Sequence, residues 1–288
     1  MPIVIEGLSY VYMSGGPYES RALDNVSLTI ADGEFVGLIG HTGSGKSTLV
    51  QHLNGLLMPT SGRILVDGLD VADKATDRRA IRRKVGLVFQ YPENQLFEET
   101  VARDIAFGPR NLGLDEAEID RRVRDAMRRV ALDYDTLAER SVFELSGGQM
   151  RRVAIAGVLA MEPRVLVLDE PCAGLDPRGR EEILGLISKL HAESGTTIVM
   201  VSHSMDDVAS LAERVIVMDH GKVAMDGAPR EVFSRGEELR AIGLDVPQAV
   251  ELAGKLRARG FDVPQGTYRI EEIRETILGL VGKGGSHA

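Results

Sequence analysis

Nine residues, GHTGSGKST at 40–48, carry the first readable chemistry of the chain. They fit the phosphate-loop pattern G-x-x-x-x-G-K-[ST] from Gly40 to Ser47. Gly40, Gly43 and Gly45 leave room for backbone amides to face phosphate oxygens, at φ values that side chains resist. His41, Thr42 and Ser44 complete the loop and are expected to contact the nucleotide with it. The helix that follows turns its positive end toward the same anion. Lys46 is expected to reach the β- and γ-phosphates, and the Ser47 hydroxyl to ligate Mg²⁺. Thr48 adds a hydrogen bond to the α-phosphate. A chance glycine turn before a helix would need neither the lysine nor the hydroxyl.

Two later strings extend this chemistry. VLVLDEP at 165–171 ends an apolar run in two carboxylates. Asp169 falls at the C-terminal end of a buried strand, the usual ligand position in open α/β sheets, where it would hold Mg²⁺ through a water. Glu170 would polarise the attacking water as general base. Without the phosphate loop, a strand that merely ends in solvated acids would serve as well. LSGGQ at Leu145–Gln149 opens a helix, with Ser146 as N-cap and free amides at Gly147 and Gly148. A second anion site in one chain is redundant unless it serves a different nucleotide. Gln90 ends the strand VGLVF, and His203 follows TTIVMVS. Alone, a glutamine or histidine in such a place is more often structural than functional.

The order of these motifs resembles the ATP-binding-cassette ATPases, from about residue 3 to 235. The resemblance implies two composite sites across a dimer, in which Ser146, Gly147, Gly148 and Gln149 close over the γ-phosphate held by the other subunit. It also implies that Gln90 senses Mg²⁺, water and the partner, and that His203 contacts the γ-phosphate. Asp176 in GLDP would speak across the interface between the sites. The preference for ATP over GTP rests on this resemblance, since nothing in the loop reads the base. The adenine needs a stacking surface. Tyr12, upstream of the loop, is expected to supply it, with Tyr18 as the rival.

FQYPENQLFEETV at 89–101 is similar to the energy-coupling factor transporter ATPases, which power bacterial uptake of vitamins and of cobalt or nickel ions. DIAFGPRNLGL, FELSGGQMRRVAIAGVLAMEP, SHSMDDVASLAERVIVMDHGK and the tail GLDVPQAVELAGKLRARGFDVP look the same way, to about residue 280. The implied partners are a paralogous ATPase, a transmembrane coupling subunit and, indirectly, a membrane substrate-binding subunit. A homodimer is the alternative to the heterodimer. The insertion MSGGPYES and the string HTGSGKST resemble the second of the two paralogues. Cys172 stands where the family leads one to expect threonine, and its place beside Glu170 predicts sensitivity to alkylation. A conventional importer is the rival reading, but the roughly 50 residues after Arg235 are too few and too helical for its regulatory β-domain. Neither fused cassettes nor a long coiled coil points to translation or DNA repair.

The elements that must position these residues follow from periodicity. Residues 3–12 and 23–39 read as strands, as do Arg63–Val66 and Val85–Phe89. KSTLVQHLNGL reads as a helix. From about 95 to 160 the pattern is helical; Asp115–Leu132 carries apolar residues at 119, 123, 126, 127 and 130, one helix face. Strand and helix alternate again from residue 164. That predicts an α/β fold of the ATP-binding-cassette type, with a mixed sheet core over 3–235 and an inserted helical lobe at about 95–160. Residues 236–288 form a short helical extension, with helices over 243–260 and 271–281 and a frayed tail GKGGSHA.

Composition sets the outer bounds. The net charge of −9 argues against generic nucleic-acid binding. RRAIRRK at 78–84 and RRVRDAMRR at 121–129 have helical spacing and read as solvated faces. A single cysteine excludes an internal disulfide. The longest apolar run, VAIAGVLAM at 153–161, is too short to span a bilayer, and MPIVIEGLSY has no signal-peptide pattern. The chain is expected at the cytoplasmic face of the cell membrane, docked there through another protein.

Overall fold

The structure is a computed structural model that describes residues 3–284. Its strands are β1 Ile3–Tyr12, β2 Ser20–Ile30, β3 Phe35–Ile39, β4 Ser61–Val66, β5 Leu69–Asp70, β6 Val85–Val88, β7 Val165–Asp169, β8 Thr197–Val201, β9 Arg214–Asp219 and β10 Lys222–Gly227. Six of them form one sheet in the order β10-β9-β3-β8-β7-β6, parallel except for the edge strand β10. Four form a second, antiparallel sheet in the order β2-β1-β4-β5.

The helices are α1 Lys46–Leu53, α2 Arg78–Lys84, α3 Val101–Asn111, α4 Glu116–Arg129, α5 Tyr134–Leu137, α6 Gly147–Leu159, α7 Pro177–Ser194, α8 Met205–Leu211, α9 Pro229–Ser234, α10 Gly236–Ala241, α11 Gln248–Ala258 and α12 Ile270–Gly284. Strands β3, β6, β7 and β8 are buried along their whole length, as expected where both faces of a parallel sheet are covered. The period of two is visible in what each face meets. Val165, Val167, Val199 and Val201 pack with α1 and the antiparallel sheet. Leu166, Leu168, Ile198 and Met200 pack with α3, α4, α6 and α7.

The single strand expected over 23–39 is two strands in two different sheets. The turn at Ala31–Glu34, with Gly33 at φ 74, ends β2 and lets β3 turn into the parallel sheet. The helix expected to begin at 243 begins at Gln248, behind Pro247. Both basic strings are helical. Arg78, Arg79, Arg82 and Arg83 are exposed, but Arg122 is buried against Glu118 and Glu162.

Beyond β10 the chain splits its apolar residues. Val232, Phe233, Leu239, Leu244, Val246 and Tyr268 join the main core. Ala249, Ala253, Val263 and Ile273 make a small core of their own between α11 and α12. Two bonds tie this region to α8: Gln248 N donates to Asp206 Oδ1 at 2.9 Å, and Arg269 Nε to Ala209 O at 3.3 Å. Of the expected frayed tail, 282–284 end α12, and 285–288 lie outside the described residues.

Candidate active site

β3 feeds the loop 40–45 directly into α1. Gly45 caps that helix at φ 105, where a Cβ would meet Ala22 O at 2.6 Å. Gly43 stands at φ 83 with open space beside it. Only glycine holds such a backbone at little cost. Gly43, Gly45 and the first turn of α1 line an open cleft of about 540 Å³.

Around that cleft the structure gathers Thr42, Gly43, Gly45, Lys46, Ser47 and Thr48 with Gln90, Asp169, Glu170 and His203. Parallel pairing explains the convergence. β3, β7 and β8 run the same way, so their C-terminal ends deliver the loop, the two carboxylates and His203 to one edge. Gln90 arrives from the end of β6. Tyr12 lines the cleft, and its hydroxyl lies 3.2 Å from Thr48 Oγ1. Tyr18 is 80% exposed and does not line it.

Charge balance follows burial. Lys46 Nζ donates to Gly40 O at 2.7 Å and His41 O at 3.0 Å. Burial lowers its pKa, opposed by Glu170 and Asp169. Asp169 is raised by burial and pulled back by a Ser47 hydrogen bond and by Lys46. Glu170 is pushed up to about 7, chiefly by burial and then by Asp169, against a His203 backbone hydrogen bond and Lys46. Its Oε1 is 3.3 Å from His203 Nε2 without a well-directed hydrogen bond. Burial also lowers the His203 pKa. Glu170 adopts φ 53, a left-handed conformation that a non-glycine residue keeps only where its surroundings enforce it.

Several expected residues lie elsewhere. Gly40, His41 and Ser44 do not line the cleft. The His41 ring turns to Asp219, and Ser44 is fully buried. Ser146, Gly147, Gly148 and Gln149 form no part of it either. Ser146 Oγ accepts from Gln149 N at 3.3 Å, and Gln149 Oε1 from Ser146 N at 3.0 Å, a closed capping box. Added Cβ atoms at Gly147 and Gly148 would meet nothing within 4 Å. Asp176 caps α7 through Gly179 N at 2.7 Å. Half-buried Cys172 stands against the expected thiol reactivity in one respect: burial first, then Asp207, pushes its pKa up to about 12, which disfavours the thiolate.

Two features escaped sequence reasoning. Arg21 lines the cleft just after the insertion, paired with Asp24 at 2.9 Å. Arg151, 1% exposed, grips Glu93 with Nε at 3.0 Å and Nη2 at 2.7 Å. Its Nη1 also donates to Pro171 O and Ala173 O. No local signal distinguishes Arg151 from Arg152 beside it. A second hollow, about 510 Å³, opens between α2, α3 and α6. Exposed Phe97 and Phe107 meet edge to face there, with Arg79, Arg82 and Arg83 on its rim.

The sequence pattern of the ABC transporter family matches residues 23–173. Over 281 residues the chain is 58% identical to "Energy-coupling factor transporter ATP-binding protein EcfA2" of Clostridium perfringens, covering 98% of this chain and 99% of that one. The chain belongs to the energy-coupling factor transporter ATP-binding proteins. Among solved structures, cbiO1 from Clostridium perfringens, part of the ABC transporter complex cbiONQ, is similar with a TM-score of 0.73 and 41% identity. That match covers 88% of this chain and 98% of the other. The dimeric ATP-binding cassette MJ0796 bound to ADP and Pi gives 0.70 and 31%, over 79% of this chain and 98% of that one. This energy-coupling factor ATP-binding protein is therefore an α/β ABC ATPase, and that family membership implies ATP binding and hydrolysis. Among the described residues no helix is long and apolar enough to cross a membrane.

Proposed function

We propose that the chain is the ATP-hydrolysing subunit of an energy-coupling factor transporter, powering uptake of a vitamin or a transition-metal ion through a transmembrane coupling subunit. The observation that carries this is the convergence of Lys46, Ser47, Gln90, Asp169, Glu170 and His203 on one cleft, in a chain whose relative bears that transporter's name. Residues 3–235 act as the ATPase unit, with 95–160 as its helical lobe, and 236–288 as a C-terminal extension.

In this reading Tyr12 stacks on adenine, and the amides of 40–45 with Lys46 and Thr48 hold the phosphates. Ser47, Gln90 and Asp169, through a water, hold Mg²⁺. A hydroxyl, an amide oxygen and a carboxylate on one cleft suit a hard cation. The bound ion would neutralise charge on the phosphates. Glu170 takes a proton from water as the water oxygen bonds the γ-phosphorus and the bond to the ADP oxygen breaks. His203 steadies Glu170 and the γ-phosphate. Raising Glu170 to about 7 suits a proton acceptor near neutral pH.

Ser146–Gln149 close over the nucleotide of an opposing subunit, a paralogous ATPase or a second copy. Their place outside this chain's own cleft supports that division, as does the dimeric state of the MJ0796 structure. The hollow with Phe97 and Phe107 receives the coupling subunit and holds the chain at the cytoplasmic face of the membrane; the membrane substrate-binding subunit is reached only through that contact. Glu170→Gln tests the catalytic assignment. In the assembled transporter it should retain ATP binding and lose at least about 10²-fold in turnover. Near-normal turnover would remove Glu170 from the base role.

A further inference from the structure

His41, Asp219 and His220 meet beside the phosphate loop, outside the lining of the cleft. One ligand atom from each lies within 4.8 Å of the other two. His41 belongs to the loop, while Asp219 ends β9 and His220 begins the turn to β10. That turn is already bonded to the loop, since Gly221 N donates to Ser44 O at 3.0 Å.

The His41 ring is fixed in a telling way. Nδ1 lies 2.8 Å from Thr42 O, and a carbonyl can only accept, so Nδ1 carries a hydrogen. Nε2 then faces Asp219 Oδ1 at 3.0 Å. In a neutral ring this would set a lone pair against a carboxylate. A metal ion on Nε2 would make the contact favourable. A backbone carbonyl on the opposite ring nitrogen is the usual arrangement behind a metal-bound histidine. His220 Nε2 stands 3.7 Å from the same Asp219 oxygen, and the two imidazoles are 5.1 Å apart at their centres. Ligands held about 2.0–2.2 Å from one ion lie roughly 3–3.5 Å from each other, so a small rotation of exposed His220 completes the set.

We propose that His41, Asp219 and His220 form a binding site for a borderline divalent transition ion such as Zn²⁺, Co²⁺ or Ni²⁺. Two imidazoles and one carboxylate, with water in the remaining positions, suit these ions and not Mg²⁺. The ion takes the Nε2 lone pair of His41, while Nδ1 keeps its hydrogen on Thr42 O. The ion pins the phosphate loop to the β9–β10 turn. His41 O also accepts from Lys46 Nζ, so the pin sits one residue's breadth from the phosphate-binding lysine.

The test is a Co²⁺ titration of the nucleotide-free full chain in excess Mg²⁺, read by visible absorption and by calorimetry. Excess Mg²⁺ competes for the oxygen donors of the cleft but not for imidazole. His220→Asn is the variant, because asparagine tolerates the φ of 44 found there. The expected result is one saturable site in the wild type, weakened at least about tenfold in His220→Asn. Turnover without added transition metal should be the same in both proteins, so a catalytic failure and a failure of this site read out separately. Absence of a saturable site, or equal affinity in His220→Asn, would overturn the proposal.

Discussion

Glu170 stands in a left-handed conformation, half-buried, between Asp169 and His203. Burial and the neighbouring Asp169 oppose its charged form, only partly offset by the His203 backbone hydrogen bond and Lys46, and the left-handed backbone adds its own strain. The sign follows from proton linkage. A carboxyl whose pKa is raised from 4.5 to about 7 binds more protons folded than unfolded, so stability falls as pH rises through that window and is lowest above it. Glu170→Gln should therefore stabilise the chain by as much as roughly 3 kcal/mol at pH 8, with the gain fading toward pH 4. Urea unfolding at the two pH values measures it, and an equal effect at both would contradict burial as the cause. The residue's identity was legible in the sequence because two acids end an apolar strand. Its strain was not, because φ depends on the loop that folds around it. The environment of Cys172 was hidden for the same reason: adjacency to Glu170 says nothing of burial.

At the scale of elements, α6 is tied through Arg151 to segments distant in sequence. Its cap was readable from Ser146 and Gln149, three apart. Its clamp was not, because Arg151 and Glu93 are 58 residues apart. That clamp joins the helix behind LSGGQ to the turn after Gln90 and to the chain leaving Glu170. Arg151→Ala should cost roughly 3–5 kcal/mol, since it strands a carboxylate and two carbonyls. A loss below about 1 kcal/mol in equilibrium unfolding would show that the clamp carries little. Elements with strong period were legible, α4 above all. The break between β2 and β3 was not, because the short turn at Ala31–Glu34 interrupts an otherwise strand-like run. Nor were β5, only two residues long, and β10, which pair antiparallel with β4 and β9 respectively. α1 stops at Leu53, short of the expected Leu56, where Asn54 turns its side chain to Val85 O at 2.6 Å.

For the whole molecule, alternating strands and helices gave away the α/β class, and the motif order gave away the cassette. The division into two sheets was hidden, since nothing local says that β1, β2 and β4 pair apart from β3. The proposed composite site would account for what a single chain leaves undone. The phosphate loop and the capped LSGGQ turn occupy separate places, and the hollow beside Phe97 presents apolar rings to solvent. Burying such rings is favourable, and an exposed patch of this kind marks a contact surface. Both features fit the partner polypeptides proposed above. The most direct measurement is mild-detergent co-purification of the tagged full chain from its native membranes, with partners identified by mass spectrometry. The account predicts a second cassette ATPase and one polytopic coupling protein. A pair of permeases with an extracytoplasmic binding protein would contradict it and make this chain the ATPase of a conventional importer.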